Sequence, residues 1–278
     1  MLRIYLKSIG IIAPGVAGWN DFCNIAKGVQ PLVYEPVAKK IETVLPANER
    51  RRATRVTQLA LYTAQQACDN VVAEGFSAGE CLQIFNSSNG DVNTFHKISM
   101  ALVMPGRPVS PTLFHNSVHN APAGYWSIAA KAQTASTSIT AHEYSFAAGL
   151  LEAAVQLISQ ENNYEQSNEL NKRDCLLVCC DDKPPEPFHA QGLVSEEFAC
   201  AFVLSNNIEQ ALFQLDIQLS EQIHEDSICK NPEFINLQNS NPQAKALPII
   251  ESVALNESRQ VVIPYFEQGL NILLTPLN

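Results

Sequence analysis

An imidazole beside hydroxyl-bearing residues can move an acyl group, because the ring takes the proton that an attacking oxygen must lose. One run of the chain has that composition: STSITAHEYSFAAGLLEAA, residues 136–154. Its first part is rich in small and β-branched residues and predicts a buried strand, and its alanine-rich end predicts a helix. The junction, around Ala141, is where a strand-turn-helix elbow would present a nucleophile, yet the side chain there is a methyl group. His142 follows, and with Ser136, Ser138 or Thr140 it could carry relocated acyl transfer or hydrolysis. Glu143 adjoins His142 on the expected helix, so the two point to different sides and form no dyad.

Three other groups have chemical potential. His115 and His119 in HNSVHN are four residues apart, a spacing that could place two metal ligands on one helix face. No third ligand follows at a suitable spacing, so a polar interface or capping role is expected, with no metal and no cofactor. The eight cysteines lie in apolar contexts, three of them in RDCLLVCC, with no CxxC pair. They are expected to be free buried thiols packing as small hydrophobes. Arg50, Arg51, Arg52 and Arg55 in ERRRATR form the densest basic cluster of an acidic chain. They could bind an acidic partner or a phosphate group, or simply solvate a helix start.

These residues need a scaffold, and the pattern supplies one. Residues 2–12 alternate as a strand, and GWNDFCNIAKG predicts a short helix ending at Gly28. ANERRRATRVTQLALYTAQQACDN predicts a helix with Val56, Leu59, Ala60, Ala64 and Cys68 on one apolar stripe. ECLQIFNSS reads as a strand, DVNTFHKISMALV as a helix capped by Asp91, and HNAPAGYWSIAAKA as a helix with Pro122 in its first turn. Strands follow at DCLLVCCDD, FACAFVLS and LFQLDIQL. Strands alternating with helices to about residue 205 predict an α/β layered fold. Residues 207–278 are Asn/Gln-rich and predict a short irregular remainder with a few strands, such as VVIPYF and LNILLT.

Composition narrows the function classes. At 46% hydrophobic and 17% charged residues, the chain is globular rather than disordered. A formal net charge of −10 argues against binding nucleic acid or an anionic membrane surface. No apolar run reaches a membrane span and the N-terminus shows no clear secretory pattern, so the cytoplasm is the expected compartment.

Six motifs in order resemble β-ketoacyl synthases. PTLFHNSVHNAPAGYWSIAAK is similar to the family's P-x-x-F, Asn, A-G-x-x-S/T-I segment on a dimer-interface helix. STSITAHEYSFAAGLLEAA resembles the nucleophile elbow, RDCLLVCCDD the strand after it, and SEEFACAFVLS the later G-E-G-A-x-x-L-V-L-E. The N-terminal strand with its GW helix and RRATRVTQLALYTAQQA complete the series over residues 1–206. The resemblance implies a thiolase-like layered fold with residues 1–206 as its complete first half and 207–278 as a truncated or degenerate second half.

Aligned on Gly149, the family's nucleophilic cysteine falls at Ala141, which cannot accept an acyl group. The family's two catalytic histidines lie in motifs like H-G-T-x-T and N-x-x-F-G-F-G-G. His96, His115, His119, His142, His189 and His224 stand in neither. The resemblance therefore implies a catalytically inactive chain-length factor, similar to the ketosynthase-like proteins of aryl-polyene (xanthomonadin-type) pathways. Its partners would be an active ketosynthase, in a heterodimer, and acyl carrier protein through the complex, with Arg50, Arg51, Arg52 and Arg55 as the possible docking site for that protein or its pantetheine phosphate. In the family fold the helix at 120–132 and the strand at 134–140 lie on the dimer axis and line the far end of the partner's acyl tunnel. Asn120, Gly124, Tyr125, Trp126, Ile128, Ser136 and Ser138 are then the interface residues, with Tyr125 and Trp126 as bulky gates. A stand-alone acyl-binding module is a third possibility. The chain-length-factor reading predicts poor expression alone and recovery with the partner.

Overall fold

The computed structural model describes residues 1–72, 75–159, 173–189, 192–221 and 225–277. Among them is one eight-stranded mixed sheet in the order β3-β2-β4-β5-β1-β6-β8-β7. In chain order the elements are β1 (Leu2–Ile12), α1 (Trp19–Ala26), α2 (Ala47–Arg50), α3 (Arg55–Asp69), β2 (Leu82–Asn86), α4 (Val92–Val103), α5 (Pro111–Asn116), α6 (Ala121–Ala130) and β3 (Ser136–Ile139). Then come α7 (Ser145–Ser159), β4 (Asp174–Asp181), β5 (Phe198–Ser205), β6 (Phe213–Ser220), α8 (Ile235–Asn239), α9 (Leu247–Ala254), β7 (Arg259–Tyr265) and β8 (Gln268–Pro276). β2 runs parallel to both β3 and β4, while the remaining pairs are antiparallel.

Helices cover both faces of the sheet, which is why β4 is a continuous apolar run. Its Leu176, Val178 and Cys180 join Leu59, Ala60 and Ala64 of α3 on one side. Cys175, Leu177 and Cys179, alternate positions of the same strand, join Phe146, Leu150 and Ala153 of α7 on the other. α3 lies so close to β1 that a Cβ on Gly10 would stand 2.2 Å from the carbonyl oxygen of Thr63. The eight thiols are free, and seven are buried as expected. Burial pushes Cys68 up to about 12 and Cys175 higher still, which leaves both protonated.

Two elements differ from expectation. The helix expected from residue 47 onward is two helices, α2 and α3, with residues 51–54 between them. Residues 207–278, expected as an irregular remainder, contribute β6, β7 and β8 to the same sheet and α8 and α9 to its packing. Their helices are short, five and eight residues, so no long amphipathic period shows in the sequence. Specific pairs hold the segment instead. Phe234 stacks on Phe22 with ring centroids 4.5 Å apart. Glu251, fully buried, accepts from the backbone N–H groups of Lys230 and Asn231 at 2.8 and 2.7 Å and from Arg259 at 2.9 Å. A buried carboxylate with three donors is compensated for its lost hydration.

Candidate functional site: an elbow over a buried polar network

β3 ends the sheet and has β2 as its only neighbour among the described residues. The chain then turns sharply. Ala141 has φ −144°, His142 adopts a left-handed φ of 54°, a 3-10 turn covers His142–Tyr144, and α7 begins at Ser145. A non-glycine residue in that conformation is uncommon and needs the surrounding structure to hold it. Ser145 does so: its Oγ accepts from the Ala141 N–H at 2.9 Å and donates to the His142 carbonyl at 2.8 Å. The strained residue of the elbow is thus His142, one position beyond the Ala141 reached by alignment on Gly149. Neither residue carries sulfur, and the chain has no cysteine between Cys81 and Cys175.

Beneath the elbow lies a network that the sequence reading did not single out. Asn86, the last residue of β2, sits in register between Ile139 of β3 and Cys179 of β4. Its amide nitrogen donates to the Ser145 carbonyl at 2.5 Å and reaches Gln243 Oε1 at 3.4 Å. Gly149 makes room for this amide, because a Cβ there would be 2.5 Å from Asn86 Nδ2. Asp181, ending β4, accepts from Ser87 Oγ at 2.9 Å, Ser88 N at 2.8 Å and Ser88 Oγ at 2.6 Å. Burial raises its carboxyl to about 6 against the pull of those donors and of Gln243. Its neighbour Asp182 is raised to about 7, by burial first and then by the charge of Glu197. Polar residues at the ends of apolar strands were the available signal, in IFN and CCDD.

The remaining expected residues separate into exposed and buried sets. On α6, Tyr125 and Trp126 are 2% and 1% exposed and pack in the core shared with α3. Their assignment as tunnel gates is corrected: both face inward. Asn120, Gly124 and Ile128 face outward, Ile128 at 50% exposure. On β3, Ser136 is exposed and Ser138 is half-buried with its hydroxyl unpaired, while Thr140 donates to the Ser88 carbonyl at 2.8 Å. His115 and His119 do not share a helix, since α5 ends at Asn116. His115 instead meets the Tyr125 ring edge-on. His224 lies outside the described residues.

The basic cluster also divides. Arg50, Arg51 and Arg52 are exposed. Arg55 binds Glu197 through two nitrogens at 2.9 and 2.5 Å and donates to the carbonyls of Val37, Ala38 and Lys39. That correction removes Arg55 from any docking patch, because its guanidinium clasps the loop before α2. Three cavities of about 980, 520 and 510 Å³ lie elsewhere, and none of them is lined by Ala141, His142 or Ser145. Among the described residues no helix is long and apolar enough to cross a membrane.

Comparison with solved structures returns the same fold. A ketosynthase (ApeO) in complex with its chain length factor (ApeC) from Xenorhabdus doucetiae matches at TM-score 0.69 and 21% identity, over 98% of this chain and 100% of that one. The ishigamide ketosynthase/chain length factor matches at TM-score 0.70 and 11% identity, over 100% of both chains. An AntDE:AntF complex, a type II PKS acyl-carrier protein with its ketosynthase bound to the hexaketide, matches at TM-score 0.71 and 11% identity, over 99% of each chain. No curated protein sequence matches. The family described as beta-ketoacyl synthase, N-terminal domain, matches residues 26–265. On a match spanning most of its length, the chain belongs to the β-ketoacyl synthase family.

Proposed function

We propose that this chain is a non-catalytic, chain-length-factor-type subunit. It pairs in the cytoplasm with an active β-ketoacyl-ACP synthase and limits acyl growth in aryl-polyene-type biosynthesis. One observation carries the reading. The elbow is built and held in its strained form, yet neither Ala141 nor His142 offers a thiol to carry a thioester. Relocated chemistry lacks a partner hydroxyl: Thr140 already donates to Ser88, and no hydroxyl is hydrogen-bonded to the His142 imidazole among the described residues.

Two surface features support pairing. Among the described residues β3 presents an unpaired strand edge, which proteins ordinarily cover. Phe95, Met100, Leu102 and Val103 of α4, Phe114 of α5, Val118 and Ile128 are all exposed, Phe114 at 70%. That concentration of apolar side chains is characteristic of a protein interface. The wall that limits a growing chain is then the outer side of α6, at Gly124 and Ile128. Excluding two methylenes from an apolar tunnel costs the longer chain about 1.6 kcal/mol, at ~0.8 kcal/mol each. The structural relatives named for ketosynthase–chain length factor complexes support the same role. Arg50, Arg51 and Arg52 are the proposed carrier-protein contact.

The test is a pull-down against a co-encoded ketosynthase, followed by product analysis. Co-purification and products that change length with Ile128 substitutions support the role. Products made by the ketosynthase alone with unchanged length would remove it.

A further inference from the structure

Gln243 belongs to the C-terminal segment, in a 3-10 helix spanning Pro242–Ala246, and is 0% exposed. Its backbone is pinned because its N–H donates to Asn241 Oδ1 at 2.9 Å, and Asn241 in turn donates to the Glu196 carbonyl at 3.0 Å. The side chain therefore enters the network from a fixed position. Its Oε1 meets the Asn86 amide at 3.4 Å, and Asn86 holds the Ser145 carbonyl. Its amide nitrogen has no partner at hydrogen-bond distance but is near enough to Asp181 to favour that carboxylate's charged form. Asp181 binds Ser88, whose carbonyl receives the Thr140 hydroxyl. Both branches end at the elbow, one on Ser145 and the other on Thr140.

We infer that Gln243 is a positioning residue that fixes the elbow through Asn86. The C-terminal segment thus sets the shape of a surface about a hundred residues earlier in sequence. A buried amide suits the place because it offers an acceptor to Asn86 and a donor toward a carboxylate at the same time. An ionised carboxylate offers only the acceptor, and an alkyl group offers neither. The segment also fills the ground below the elbow, so any acyl chain lies on the elbow's outer side. That last consequence rests on the proposed chain-length role, whereas the positioning itself rests on geometry alone.

Hydrogen exchange of the full-length protein tests it without reference to product. In Gln243→Ala, peptides covering residues 139–146 should exchange at least ten-fold faster, while those covering β5 keep their wild-type rate. Unchanged elbow exchange, or equal acceleration in both regions, overturns the inference. Gln243→Glu keeps the shape and covers the case in which Gln243→Ala does not fold. Protonated, it still donates toward Asp181; ionised, it repels it. After correction for intrinsic rates, elbow exchange in Gln243→Glu should rise between pH 5.5 and pH 8 relative to wild type. A pH-independent ratio overturns the assignment. Product length measured on the same variants in the co-expressed pair then reports separately on the chain-length role.

Discussion

Below the elbow, Asn86, Ser145 and Gln243 are enclosed and linked by hydrogen bonds that span three segments of the chain, and Asp181 is enclosed with Ser87 and Ser88 as its donors. Above it, His142 and Glu143 stand in solvent, and β3 is an edge strand among the described residues. A catalytic elbow needs its chemistry on the upper side. Here the lower side supports the turn with buried polar contacts, while neither Ala141 nor His142 on the upper side carries a thiol. On the proposed role, the shape of the elbow is what this chain uses, and its outer surface is where it acts.

The same division runs through α6, and the largest expected effect separates its two faces. Trp126→Ala removes a 1%-exposed indole from the core and should cost about 3–5 kcal/mol in denaturant unfolding. Ile128→Ala, on the outer face, should stay within about 0.5 kcal/mol while altering product length in the co-expressed pair. A Trp126→Ala protein of wild-type stability would mean that the faces are assigned the wrong way round.

Next in size is a pH effect. Asp181 and Asp182 titrate near 6 and near 7 in the folded chain, above the ordinary value near 3.8. The native state therefore binds these protons more tightly than the unfolded state, and stability falls as pH rises from about 4 to about 7. Asp181 alone accounts for a loss on the order of 2–3 kcal/mol. Urea unfolding at pH 5 and pH 8 measures it, and Asp182→Asn should flatten the slope. A slope unchanged by that substitution would show that Asp182 does not contribute to it.

Gly149→Ala should cost about 1–3 kcal/mol, because the new methyl group would have to displace the Asn86 amide. Smaller still is the effect of Arg51→Glu, which should leave the melting temperature unchanged and weaken carrier-protein binding in a salt-dependent way. Arg55→Ala should do the reverse, lowering stability through its lost contacts with Glu197 and the loop carbonyls. Equal binding defects in the two variants would contradict the separation of Arg55 from the exposed cluster.

Where burial follows from period alone, the sequence was readable. The stripe Val56, Leu59, Ala60, Ala64 on α3 and the apolar run of β4 were both evident. So was the Asp91 cap, which accepts from the Thr94 N–H at 2.7 Å. On α6 the apolar residues surround the helix, so no stripe distinguished the inward Tyr125 and Trp126 from the outward Ile128. Arg55 looked like its neighbours until Glu197, 142 positions away, was beside it. The elbow network joins Asn86 to Gln243 across 157 positions, a separation at which no local pattern exists. The apex at His142 rather than Ala141 depends on a backbone angle, and Ser145 enforces it from within the turn.

The most direct measurement is intact-protein mass spectrometry of this chain and its ketosynthase partner after incubation with acyl- and malonyl-carrier protein. The account predicts an acyl mass increment on the partner and none on this chain, whether it is incubated in the complex or alone. An acyl adduct on this chain, lengthened on further incubation, would contradict it.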